Sequence, residues 1–163
     1  MSNVSGDEWG LEANASSLPA EGAGYFKNFI KSNNESISKA LEFIPETGPV
    51  SKENYDNYIR FYLEPFNEFC NGKYHGIPMA TRLLSMKRPD VFVCLDKRNL
   101  HKMKTVFNIE LGKKEYSKYW INVIVPIQNS AWCKSEIPKD EWERKIWNYR
   151  VAMLDAFLCD YGE

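Results

Sequence analysis

Between residues 73 and 118 the chain sets eleven lysines and arginines against four carboxylates, Asp90, Asp96, Glu110 and Glu115. Bases at this density suit one chemistry above others, the neutralisation of phosphates with release of the counterions condensed on a polyanion. Lys73, Arg82, Lys87, Arg88, Lys97, Arg98, Lys102 and Lys104 are the candidate charged contacts, and Gly76 would let the backbone itself approach a phosphate. Asp96 has two readings: a catalytic carboxylate, or the N-cap of the helix that follows it.

Other chemistries find less to work with. His75 and His101 are the only histidines, and neither a G-x-S-x-G element nor a Cys-His signature accompanies them. Pro89-Asp90 resembles the start of a magnesium-dependent nuclease pattern, but Asp96, Glu110 and Glu115 lack a lysine two positions on. There is no Walker-type phosphate loop. Cys70, Cys94, Cys133 and Cys159 are widely spaced, with no C-x-x-C and no histidine at zinc-ligand spacing, so no metal and no cofactor is expected. Reduced thiols in a cytoplasmic protein are the corresponding expectation. No apolar run approaches the roughly 18 residues of a membrane span, so no membrane partner is expected.

The charge is distributed unevenly. The net charge of −1 hides a central block of +7, while residues 1–24 hold four acids and no base, and residues 25–72 and 119–163 are each −2. A cationic centre in an otherwise anionic chain suits one phosphate-facing surface on a protein that does not bind polyanions everywhere. A solvated, charge-rich helix pair would read the same way.

The elements that must position these residues are helical. With 163 residues, 44% hydrophobic and 14% aromatic, the chain is long enough for one domain with a substantial core. Residues 1–24, rich in Gly, Ser, Ala and acids, read as a flexible acidic arm, and residues 25–163 as a single helical domain. A short helix from Tyr25 and a second from near Asn34 to Pro45 come first. Ser51 then caps a helix whose Tyr55, Tyr58, Ile59, Tyr62 and Leu63 recur at one face, with Pro65 bending it and Phe66 and Phe69 extending the buried side. Pro78 suits the first turn of the next helix, which ends at Arg88-Pro89-Asp90, and Val91 to Leu95 form a short buried extended link. Leu100, Met103, Val106 and Phe107 line a helix after Asp96, and Tyr116 to Ile127 another, kinked or ended by Pro126. A loop over residues 130–138 leads to a final helix, from about Lys139 to Cys159, expected to bury Trp142, Ile146, Tyr149, Met153, Ala156 and Phe157. The fold class is mainly α: a single-domain multi-helix bundle of six to eight helices, in which a helix-hairpin-helix-like turn is an option.

Gly76-Ile77-Pro78, Thr81, Pro89 and Val93-Cys94-Leu95-Asp96 together resemble the helix-hairpin-helix segment of the DNA glycosylase superfamily, over residues 76–99 only. That resemblance implies a hairpin whose backbone N–H groups grip a DNA phosphate and an aspartate, here Asp96, that serves base excision. Pro78 replaces the second hairpin glycine, removing one N–H, and Ala80 falls where lyase members carry a lysine. Asp96 also comes about two residues early.

Two classes of function follow. The first is a nucleic-acid-binding protein, with DNA favoured, that contacts phosphates through residues 73–118. The second is a non-catalytic interaction subunit or inhibitor in a restriction or phage-defence system, partnering a larger nuclease or ATPase. A glycosylase-like enzyme using Asp96 is a third, weaker reading. The first predicts that Arg82, Lys87, Arg88, Lys97 and Arg98 converge on one exposed surface; the second predicts an exposed apolar patch.

Overall fold

The computed structural model describes residues 20–158, which form a multi-helix bundle with no strand among them. In chain order the helices are α1 (Ala20–Lys31), α2 (Glu35–Glu42), α3 (Lys52–Cys70), α4 (Ile77–Lys87) and α5 (Lys97–Phe107). The sixth, α6, is one run in three parts, α-helical over Tyr116–Tyr119, π-helical over Trp120–Ile124 and α-helical over Val125–Asn129. Then come α7 (Glu141–Asn148) and α8 (Leu154–Leu158). The mainly α reading and the upper end of its helix count hold. Helix α1 begins at Ala20, ahead of the expected Tyr25, and the rest of the acidic arm lies outside the described residues.

Side-chain capping fixes the starts of α2, α3, α5 and α7 where the residue types indicate. The Asn34 side chain accepts from the Ile37 N–H, and Ser51 forms a reciprocal capping box with Asn54. Pro65 lies inside α3 without ending it. Pro126 lacks the N–H that would continue the ladder, and the π turn, closed by the Val125 N–H on the Trp120 carbonyl, lies just ahead of it.

Helix α3 is the spine of the core. Tyr55, Tyr58, Tyr62 and Phe66 are all but wholly buried along one face. Two of their hydroxyls tie α3 to other helices: Tyr55 donates to the Tyr116 carbonyl at 2.9 Å and Tyr58 to the Ala80 carbonyl at 2.8 Å. From α6, Tyr119 donates to the Val93 carbonyl at 2.8 Å and so pins the buried link. The aromatic stripe is therefore core with polar tips satisfied by backbone, and it offers no platform for stacking bases. Tyr62 differs, because its hydroxyl is sealed beside the Gly76 backbone without a hydrogen bond of ordinary geometry. Removing a bonded hydroxyl leaves a buried carbonyl unpaired, whereas removing an unbonded one relieves a desolvated group. Tyr119→Phe should therefore cost about 1–2 kcal/mol. Tyr62→Phe should be neutral or stabilising, and urea unfolding of both variants checks the contrast.

Several expected core residues are outside the core. Phe69, Val106 and Phe107, near the C-terminal ends of α3 and α5, are exposed. The single final helix is instead α7 and α8, separated by turns over residues 149–153. Val151 is fully buried there and the Ala152 N–H bonds the Pro89 carbonyl at 2.8 Å, so the chain is drawn onto the end of α4 and the helix breaks. Trp142, Ile146, Tyr149, Met153, Ala156 and Phe157, expected inside, are exposed as a consequence.

Candidate nucleic-acid interface

The turn between α3 and α4 is tight because three of its residues adopt left-handed backbone: Asn71, Gly72 and Tyr74. Gly76 is not among them. Its φ of −176° is extended, and it is buried at the N-cap of α4. Its lack of a side chain matters for packing, since a Cβ there would lie 3.3 Å from the Lys113 carbonyl oxygen. The Ile77 N–H donates to that same carbonyl at 2.9 Å. The backbone donor that the hairpin resemblance would offer to a phosphate is thus already bonded within the protein, which corrects the expected role of Gly76.

The docking of this second loop has an electrostatic result. Lys114 Nζ donates to the Gly72 carbonyl at 3.0 Å, so Lys113 and Lys114 are held beside the turn that carries Lys73, and all three are exposed. His75 is half-buried in the same turn, with Nδ1 2.8 Å from the Tyr116 hydroxyl. Burial, followed by the nearby Lys114 charge, pushes its pKa below the usual histidine value, which keeps the ring neutral at physiological pH. His75 is therefore a fixed part of the turn, whereas His101 is exposed.

A second group of bases is set by the link into α5. Thr81, buried in α4, donates through Oγ1 to the Ile77 carbonyl and accepts the Leu95 N–H at 3.0 Å. That bond places the start of α5 against the first turns of α4. Asp96 is the N-cap of α5, its Oδ1 accepting from the Arg98 N–H at 2.7 Å and the Asn99 N–H at 3.1 Å. Asn99 completes the capping box and is fully buried. Its amide donates to the Cys94 carbonyl at 2.9 Å and to Asp155 Oδ1, on α8, at 2.6 Å. Of the two readings of Asp96, the geometry displays the cap. The capping box holds Lys97 and Arg98 in the first turn of α5, exposed, with Lys102 half-exposed one turn on.

The remaining candidates are engaged elsewhere. Arg88 is buried at 5% exposure and serves the fold: it grips Asp90 through Nε and Nη2 and bonds the Pro45 and Gly48 carbonyls. Lys87 pairs with Glu46 at 3.2 Å, and Lys104 with Glu110 at 2.6 Å. Arg82 is half-buried beside the Cys94 thiol and the Asp155 carboxylate. Burial pushes the Cys94 thiol up to about 11, which leaves it protonated and unreactive. The expected convergence of Arg82, Lys87, Arg88, Lys97 and Arg98 is therefore not what forms. Lys73, Lys97, Arg98, Lys102 and Lys113 have no carboxylate partner among the described residues. Lys114 belongs with them; neither it nor Lys113 was among the expected contacts, and the paired lysines after Gly112 were the signal for both.

Asp155 was not singled out by the sequence either. Burial is the main cause of its raised pKa, with the Asn99 bond acting in the opposite direction. An aspartate raised in the folded state contributes its full stability below the unfolded pKa and loses it as pH rises through the folded value. Asp155→Asn keeps an acceptor for Asn99 and removes that loss. The variant should therefore gain on the parent between the ordinary carboxylate range and neutrality, and match it in acid; paired thermal melts test this.

Among the described residues no group of three or more His, Cys, Asp or Glu could hold a metal ion, and no helix is long and apolar enough to cross a membrane. The class these features define is an all-α, multi-helix bundle. Compared with protein-family models, curated proteins and solved structures, the chain matches none.

Proposed function

We propose that this protein binds nucleic acid, DNA in the first instance, by its phosphate backbone. The contact surface comprises Lys73, Lys113 and Lys114 around the α3–α4 turn and Lys97, Arg98 and Lys102 on α5. One observation carries the reading: none of these six bases has a carboxylate partner among the described residues, and backbone bonds tie the segments before α5 and around Lys113 to the start of α4, while Lys52, Lys87, Arg88, Lys104, Lys118 and Lys145 are each matched to a carboxylate. Unpaired bases held by capping and backbone bonds are available to phosphates without first breaking an internal ion pair. Lys97 and Arg98 also lie at the positive end of the α5 dipole. Such a surface positions a backbone and reads no bases, so binding should be tolerant of sequence.

Anisotropy titrations of labelled double-stranded DNA, single-stranded DNA and RNA at low salt test this. Saturable binding to at least one of them, weakening steeply with added salt, is expected. No binding to any of them at low salt overturns the proposal.

A further inference from the structure

The α3–α4 turn carries an aromatic ring as well as its lysines. Tyr74 follows Lys73 directly and adopts left-handed backbone, φ 61°, a region that Gly and Asn enter readily and a bulky side chain rarely. Backbone is held there only where the surrounding structure fixes it, and such positions gather at binding sites. Tyr74 is half-buried and packs against the core, and the Tyr25 ring of α1 stacks on it, with centroids 5.2 Å apart and planes within 15°. Tyr25 is 40% exposed. The stack therefore runs outward from the core through Tyr74 and ends on an aromatic ring open to solvent. The tyrosines of the α3 stripe, by contrast, are buried and offer no such ring.

Positive charge is fixed beside this stack by the bonds already described. Lys114 Nζ donates to the Gly72 carbonyl at 3.0 Å, and Gly72 lies two residues from Tyr74, within about 7 Å of it along the chain. Lys73 adjoins Tyr74 and Lys113 adjoins Lys114, and all three lysines are exposed. An open ring with lysines in the same turn matches the two parts of a nucleotide, a flat base and its phosphate. Acidic side chains would satisfy the lysines but offer no flat face to the ring. In a duplex the base faces are stacked on one another and out of reach, so only an unpaired base can use it. We infer that the outer face of Tyr25, seated on Tyr74, is a base-stacking subsite, so that single-stranded nucleic acid is the ligand this surface holds most tightly. The inference rests on the phosphate-binding function proposed above and adds to it a source of affinity that releases no counterions.

Two labelled oligomers of equal length test this in the full chain: an oligothymidylate, and an abasic strand with the same phosphates and no bases. At low salt the parent should bind the oligothymidylate at least about fivefold more tightly than the abasic strand. Tyr25→Leu, at an exposed position, keeps an apolar cover over Tyr74 but removes the ring. It should erase that preference while leaving the affinity for the abasic strand, the salt dependence and the circular dichroism unchanged. Tyr25→Trp, which restores a ring, should keep the preference. Equal affinity of the parent for the two oligomers overturns the inference and leaves the proposed function standing, and it is the result expected if residues 1–19 or another protein covered the ring. A preference undiminished in Tyr25→Leu overturns the inference equally. No binding of either oligomer, or of a duplex, at low salt would instead overturn the proposed function, and the inference with it.

Discussion

Arg88→Ala should lower the melting temperature by roughly 10 °C. The side chain is only 6% exposed, and its fork holds Asp90 through Nε at 2.8 Å and Nη2 at 2.9 Å. Nη1 and Nη2 also donate to the Pro45 carbonyl at 2.6 Å and the Gly48 carbonyl at 2.8 Å. One residue at the end of α4 thus fastens the loop after α2, some forty positions earlier in the chain. Truncation leaves two carbonyls and a half-buried carboxylate without their donor, a loss of about 3 kcal/mol. At about 2–4 °C per kcal/mol for a chain of this length, that is a shift of roughly 6–12 °C. Arg88→Lys should recover little, because a single ammonium cannot reproduce the planar fork. Thermal unfolding followed by circular dichroism measures both; an alanine variant melting within a degree or two of the parent would contradict the role assigned to Arg88.

The second large effect is on binding. Lys97→Glu/Arg98→Glu should weaken nucleic-acid binding at least about tenfold at low salt, because two contacts become two repulsions. The substitution leaves the fold intact, since both side chains are exposed and the capping bonds to Asp96 come from backbone N–H groups. Lys87→Glu/Lys104→Glu is the matched control, with the same change in net charge at two lysines already paired to Glu46 and Glu110. It should weaken binding far less. Equal losses from the two variants would mean that only overall charge matters, and that no particular surface is used.

How much of this was legible in the sequence depends on whether the deciding interactions are local. Ser51 with Asn54, Asn34 with Ile37 and Asp96 at the head of α5 are contacts within one turn, and residue type with spacing was enough to place them. The α3 tyrosines declared themselves by period. Arg88 did not, because a basic residue beside a proline reads as surface and its partners at Pro45 and Gly48 are distant in the chain. Gly76 was recognised as a position that needed glycine, but for a phosphate and not for the Lys113 carbonyl that approaches it. The last helix was misjudged for a related reason: the apolar period from Trp142 to Phe157 is genuine, yet Val151 and the bond from Ala152 to Pro89 turn a different set of residues inward. Amphipathic period identifies a face that wants covering and is silent on whether the same chain covers it.

On the function proposed here, the bases at the α3–α4 turn and those on α5 act as one phosphate-binding surface. The most direct measurement is the slope of log K against log salt for a DNA duplex, in the parent, in Lys97→Glu/Arg98→Glu, and in Lys73→Glu/Lys113→Glu. Each phosphate contact contributes about 0.9 to that slope. Each double variant should lose about two units of slope, and the combined variant about four. A slope unchanged in either double variant would remove that group from the surface, and unchanged slopes in both would contradict the claim outright.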